Sequence, residues 1–342
     1  MIECISQRNF QRSLLDLIIS LLPDLKLTER ILMLERFDSE EELFIQSKRD
    51  IELIINRELK NFWDISEIKE RAGRIDTICK MRSIKWVSWK EEGYPPLLRE
   101  IYDPPSVIYY IGALPHPEKS LLGMVGTRTP SPQASEQAYK IAGNLSRLEV
   151  SVISGLALGI DAMSHRGSLI GGAPGYAVLG SGIDEVYPSS NRPLAQRILD
   201  SGGALISEYP PGVHPSKWTF PARNRIISAF SRSVLIVEAP QKSGALITAA
   251  FALEQGRDLW VASAGTEEGA FDRRGTIKLA YDGAEIIYSA CDVLNKWNMT
   301  EEQHSEGAVE NAFNQRTAGN FAGSPGREEL ISSMANFLNI EM

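Results

Sequence analysis

The segment Phe220-Pro221-Ala222-Arg223-Asn224-Arg225 sets two guanidinium groups and a carboxamide in three consecutive residues, a dense set of donors for phosphate oxygens. Pro221 suits the first turn of a helix, so Arg223, Asn224 and Arg225 are expected in that turn. Cations there oppose the helix dipole, and an anionic ligand would resolve the conflict. Successive helical residues point about 100° apart, so residues two apart cannot grip one phosphate together. One arginine is therefore expected to face the ligand, and the other to be held by protein carboxylates or carbonyls. Four turns add further donors: Gly126-Thr127-Arg128, Ser154-Gly155, Gly180-Ser181-Gly182 and Lys242-Ser243-Gly244. Backbone N–H groups in such turns cradle phosphates. One alone would only satisfy backbone angles; four on one sheet edge argue for a ligand.

Other chemistries find less support. Asp161 and His165 stand four apart, on one face of a helix, where a general acid/base pair is conceivable. Asp161 as a helix cap and His165 as a packed, hydrogen-bonded ring is the preferred reading. His116, His214 and His304 are isolated, so no metal site is expected, and no cofactor. No G-x-G-x-x-G follows the first apolar run and no G-x-x-x-x-G-K-[ST] occurs, which argues against a dinucleotide dehydrogenase or a P-loop ATPase. Cys4, Cys79 and Cys291 are too few and too scattered for a disulfide framework, which suggests a reducing compartment. Leu14 to Leu22 is broken by Asp16 and reads as neither signal peptide nor membrane span. A cytoplasmic protein with no membrane partner is expected.

These residues follow a series of short apolar runs: LLGMVG (121–126), VSVISG (150–155), GYAVLG (175–180), GALISE (203–208), SVLIVEA (233–239), DLWVASAG (258–265) and EIIYSA (285–290). Each pair is separated by enough chain for a helix. Strands apolar throughout and joined by helices form a mostly parallel, doubly wound α/β sheet. Before it, residues 10–82 show apolar positions at helical spacing, such as Leu14, Leu15, Ile18 and Leu22. The expected organisation is a helical N-terminal domain (1–82), a connector of strands and turns packing on the core (83–120), the α/β domain (121–291) and a flexible acidic tail (292–342).

Over 342 residues, 36 Lys and Arg stand against 44 Asp and Glu, for a net charge of -8, and 43% of residues are hydrophobic. That composition is globular and excludes a globally basic coat. Residues 121–291 carry 15 basic and 15 acidic groups, whereas 292–342 carry 3 and 8. A polyanion must therefore meet a local patch in the middle of the chain.

In order along the chain stand GTR (126–128), VISGLALGIDAMSHRGSL (152–169), VLGSGIDEVYPSSNRPLAQRI (178–198), SEYPPG (207–212), FPARNRIISAFS (220–231), SGALITAAFALEQGRDLWVASAG (243–265) and GTIKLAYDGA (275–284). As a set these resemble the DNA-processing protein A family, also called DprA or Smf. The resemblance covers about 85–290, including the lead-in WVSWKEEGYPPLLREIYDPPSVIYYIG (86–112). It implies an extended Rossmann-like domain and a non-enzymatic, homodimeric protein that binds and protects incoming single-stranded DNA. It further implies loading of the RecA recombinase, in natural transformation or homologous recombination. Carried over by position, the DNA-binding pocket would comprise Gly126, Thr127, Arg128, Ser154, Gly155, Gly180, Ser181, Gly182, Arg223, Asn224, Arg225, Lys242, Ser243, Gly244 and Thr248. Leu158 stands where the family usually has Arg, Ser263-Ala264-Gly265 replaces V-P-G, and Ile277 replaces the Asn of G-T-N.

A competing reading comes from nucleotide phosphoribohydrolases, which share a similar fold and carry P-G-G-x-G-T-x-x-E at the corresponding loop. Here that loop is Lys242-Ser243-Gly244-Ala245-Leu246-Ile247-Thr248, with Phe251 where the Glu would stand. A small-nucleotide sensor would use the same pocket.

Overall fold

The computed structural model describes residues 14–60, 63–267 and 269–299. The seven apolar runs form β3 (Leu121–Val125), β4 (Ser151–Ser154), β5 (Tyr176–Val178), β6 (Ala204–Ser207), β7 (Ser233–Ile236), β8 (Asp258–Ala262) and β9 (Glu285–Ile287). The connector contributes β1 (Lys85–Ser88) and β2 (Val107–Gly112) to the same sheet. The order is β1-β2-β6-β5-β4-β3-β7-β8-β9. Pairing is parallel from β6 to β9 and antiparallel for β1–β2 and β2–β6. This is an α/β doubly wound sheet of Rossmann-like type with a helical region before it.

Alternation along each strand sends side chains to two layers. Leu122 and Met124 pack with α7 (Pro132–Arg147) and α13 (Ala290–Lys296) on one face, whereas Leu121 and Val125 pack with α10 (Thr219–Phe230) and α11 (Gly244–Glu254) on the other. Both faces are covered, which is why these strands read as unbroken apolar runs. Between the strands lie α6 (Pro96–Arg99), α8 (Ile160–Gly171), α9 (Arg192–Asp200) and α12 (Arg274–Tyr281).

The N-terminal region folds as α1 (Leu15–Leu21), α2 (Leu27–Arg36), α3 (Glu40–Phe44), α4 (Lys48–Ile55) and α5 (Ile65–Met81). It does not keep a core to itself. Leu17, Ile18, Ile51 and Ile75 belong to one apolar cluster with Trp86, Val107, Tyr109 and Leu205 of the sheet. The other end also departs from expectation. Helix α13 crosses residue 292, where the tail was placed, because Val293, Leu294 and Trp297 are buried against the sheet and α7. The rest of the expected tail, 300–342, lies outside the described residues. Among the described residues, no helix is long and apolar enough to cross a membrane.

Candidate nucleic-acid interface

The chain runs outward from β3 through β4 and β5 to β6, then returns to place β7 on the other side of β3. Helices α7 and α11 leave this point toward opposite faces, and the crevice beyond the carboxyl ends of β3 and β7 is where such sheets hold ligands. The loop after β3 is clamped from below by Glu238. The Glu238 carbonyl accepts from Thr127 N at 2.7 Å, and its buried carboxylate accepts from Ser131 N and Oγ at 2.9 and 2.5 Å. Arg273 completes the clamp, its Nε 2.9 Å from Glu238 and its Nη2 3.0 Å from Ser131 Oγ. A neighbouring loop adds a steric condition. Gly159 has φ +77, and a Cβ there would lie 2.3 Å from the Thr127 carbonyl. Held in this way, the loop presents Arg128 to solvent.

Asp161 is buried and accepts from Gly155 N at 3.2 Å and Ala157 N at 3.4 Å. It organises the β4–α8 loop and does not cap its helix, for which Gly159 is the N-cap. Burial raises its pKa, against the pull of Arg223 and of the loop amides. His165 is fully buried, and neither ring nitrogen has a hydrogen-bond partner among the described residues. Burial, aided by the charge of Arg223, lowers its pKa to about 3. The ring is packed and neutral, not hydrogen-bonded as expected.

Helix α10 begins at Thr219, two residues before Pro221. Arg223, Asn224 and Arg225 therefore occupy its second turn, and protein groups balance their charges. Arg223 is 4% exposed. It donates to the Val178 carbonyl and lies so close to Gly155 that a Cβ there would strike its guanidinium. Burial lowers its pKa to about 10, with Asp161 opposing the shift, so it stays charged at neutral pH. Asn224 Nδ2 donates to the Gly244 carbonyl at 3.1 Å and ties α10 to α11.

Arg225 is 2% exposed and paired bidentately with Glu208 at 2.9 and 2.7 Å. Its Nε also lies 3.1 Å from an Asp103 carboxylate oxygen. Burial pulls its pKa down, but Glu208 and Asp103 outweigh it and the net shift is upward. It faces away from the crevice, which corrects its assignment as a ligand-binding residue.

The crevice is an open cleft of about 620 Å³. It brings together Gly126, Thr127, Arg128, Arg223, Asn224, Lys242, Ser243, Gly244 and Thr248. Ser243 caps α11 by accepting from Ala245 N at 3.2 Å, and the buried Thr248 hydroxyl has no partner among the described residues. Phe220 forms one wall: its ring centroid is 5.5 Å from that of Tyr187, and the Arg128 guanidinium lies 5.6 Å from it. Four cations, Arg128, Lys217, Arg223 and Lys242, line the cleft against one carboxylate, Asp161.

A family profile described as DNA recombination-mediator protein A matches residues 85–298. The chain belongs to this family. It is 35% identical over 251 residues to DNA processing protein DprA of Bacillus subtilis, covering 72% of this chain and 82% of that one. It is 44% identical over 205 residues to Protein Smf of Synechocystis, covering 59% of this chain and 51% of the relative, so it spans about half of that protein's length. The X-ray structure of DprA from Streptococcus pneumoniae superposes with a TM-score of 0.64 at 32% identity, covering 82% of this chain and 95% of that one. DNA processing protein A of Helicobacter pylori, solved for its single-stranded DNA binding mode, gives 0.54 at 26% identity over 62% of this chain and 95% of its own.

The family match takes in the whole cleft and also the strands β1 and β2. Five residues expected in the pocket prove to be its scaffold. Ser154 Oγ donates to the Met124 carbonyl at 2.6 Å, and Gly155 makes room for Arg223. Gly180 makes room for Phe220, whose Cδ1 would lie 2.7 Å from a Cβ there. Ser181 Oγ donates to the Glu185 carbonyl at 2.5 Å, and Gly182 N to that of Val213 at 2.6 Å. Tyr187, Lys217 and Phe220 also line the cleft, although the expected pocket included none of them and Phe220 entered only as the first residue of the arginine segment. The available signal was Lys217-Trp218-Thr219-Phe220, one cation beside two aromatics immediately before the arginines. Of the departures from the family pattern, Leu158 is exposed and lies outside the cleft lining, and Ile277 lines a separate depression beside Phe271.

Proposed function

We propose that this chain binds single-stranded DNA in the cleft beyond β3 and β7. Arg128, Lys217, Lys242 and the amides at the start of α11 take backbone phosphates, while Phe220 and Tyr187 offer ring faces to bases. The observation that carries this reading is the juxtaposition of exposed cations with an aromatic pair in one open cleft. A duplex keeps its bases stacked inside, whereas a single strand can lay them on aromatic side chains. The binding mode of the Helicobacter pylori relative supports the same ligand. In this reading the protein is a homodimer in the cytoplasm, protects incoming DNA, and loads RecA in natural transformation or recombination; family membership supports these roles.

The test is a titration with single-stranded and duplex oligonucleotides at two salt concentrations. Single strands bind more tightly, and the log–log salt slope is about -0.7 per neutralised phosphate. Salt-independent or duplex-preferring binding overturns the proposal. Hydrolysis of nucleoside monophosphates is not expected, because Phe251 occupies the place of the catalytic carboxylate and lines a different cavity, beside Tyr209. Base release abolished by cleft substitutions would favour the phosphoribohydrolase reading.

A further inference from the structure

Of the six tryptophans, Trp63, Trp86, Trp260 and Trp297 are buried and Trp89 is half-buried, but Trp218 is 73% exposed. An indole left in water contributes little to the core. Trp218 immediately precedes α10, and Lys217 Nζ, a cleft-lining group, stands 4.9 Å from its ring centroid. Cation and indole thus repeat outside the cleft the pairing that Arg128 and Phe220 make within it. The cleft itself, at about 620 Å³, is too small for a long strand, so DNA must continue over its rim.

We infer that Trp218 is a second stacking platform, which receives a base of the strand as it leaves the cleft while Lys217 takes the adjoining phosphate. The inference rests on the single-strand reading above and adds to it a residue that sets the length of strand bound. Stacking on an aromatic face is tolerant of base identity, so Trp218 contributes affinity without sequence preference.

The experiment uses the full chain and oligothymidines of about 4 and about 12 nucleotides, spanning the range of single-strand site sizes. Binding is followed by anisotropy of labelled DNA and, separately, by tryptophan emission. The longer oligonucleotide should quench emission in the parent, and Trp218→Phe should bind with similar affinity but lose most of the quenching. Trp218→Ala should weaken the longer oligonucleotide about 10-fold and the shorter no more than about twofold, with an unchanged salt slope and melting temperature.

If Arg128→Ala weakens binding while Trp218→Ala binds both lengths like the parent, the inference is overturned and the cleft reading stands. A drop of several degrees in the melting temperature of Trp218→Ala overturns it too, because the ring is then a packing element. If the parent binds no single strand, both readings fall.

Discussion

Arg223 and Arg225 stand two residues apart on one helix, and their roles differ because of what each side of the helix faces. Arg223 turns toward the strand ends and the cleft, whereas Arg225 turns toward Glu208 and Asp103. Removing one partner from a buried ion pair leaves the others uncompensated, so Arg225→Met should lower stability by about 3–5 kcal/mol. Denaturant unfolding reads that loss, and the salt slope of DNA binding should not change. His165 gives a prediction of a different kind. It titrates near 3 in the fold but near 6.5 when unfolded, so between those values the unfolded chain holds a proton that the folded chain does not. Stability is full above about pH 6.5 and falls as pH drops, by about 2 kcal/mol at pH 5. His165→Leu should remove that part of the pH dependence, seen as a smaller difference in unfolding free energy between pH 7 and pH 5.

The β3–α7 loop depends on a clamp whose parts are far apart in sequence: Ser131, Glu238 and Arg273. If the clamp positions Arg128, breaking it costs the Arg128 contact. The paired change Glu238→Gln with Arg273→Met, which strands no charge, should weaken single-strand binding about as much as Arg128→Ala. Adding Arg128→Ala to it should then cost little more, and a double-mutant cycle measures that non-additivity. Distance in sequence also marks what could be read in advance. Every apolar run gave a strand, because strands covered on both faces leave an unbroken apolar signature. The start of α10 was displaced because Pro is tolerated throughout a helix's first turn and marks no single position there. The partner of Arg225 lies at Glu208, across a long loop, and that of Phe220 at Tyr187, across α9 and β6, and no local pattern announces such contacts. Helix α13 escaped notice because three apolar side chains at its end make only a short period.

At the scale of the molecule, the helical region and the sheet share one apolar cluster, in which α1 and α5 pack against Trp86 and Tyr109. A chain beginning at residue 83 would uncover those rings, and its melting temperature should fall well below that of the full chain. Deleting 300–342 removes 7 acidic and 2 basic residues. It should leave the melting temperature unchanged and should not weaken DNA binding, since the lost charge repels phosphate. The sheet's winding also shapes what can be bound. The cleft lies beyond the strand tips, between the β3–α7 loop on one side and the starts of α10 and α11 on the other. A polymer lies across such a cleft and needs no terminus to enter it. On the single-strand proposal, a covalently closed circle of single-stranded DNA should therefore bind as tightly as a linear strand of the same length, grasped from its middle.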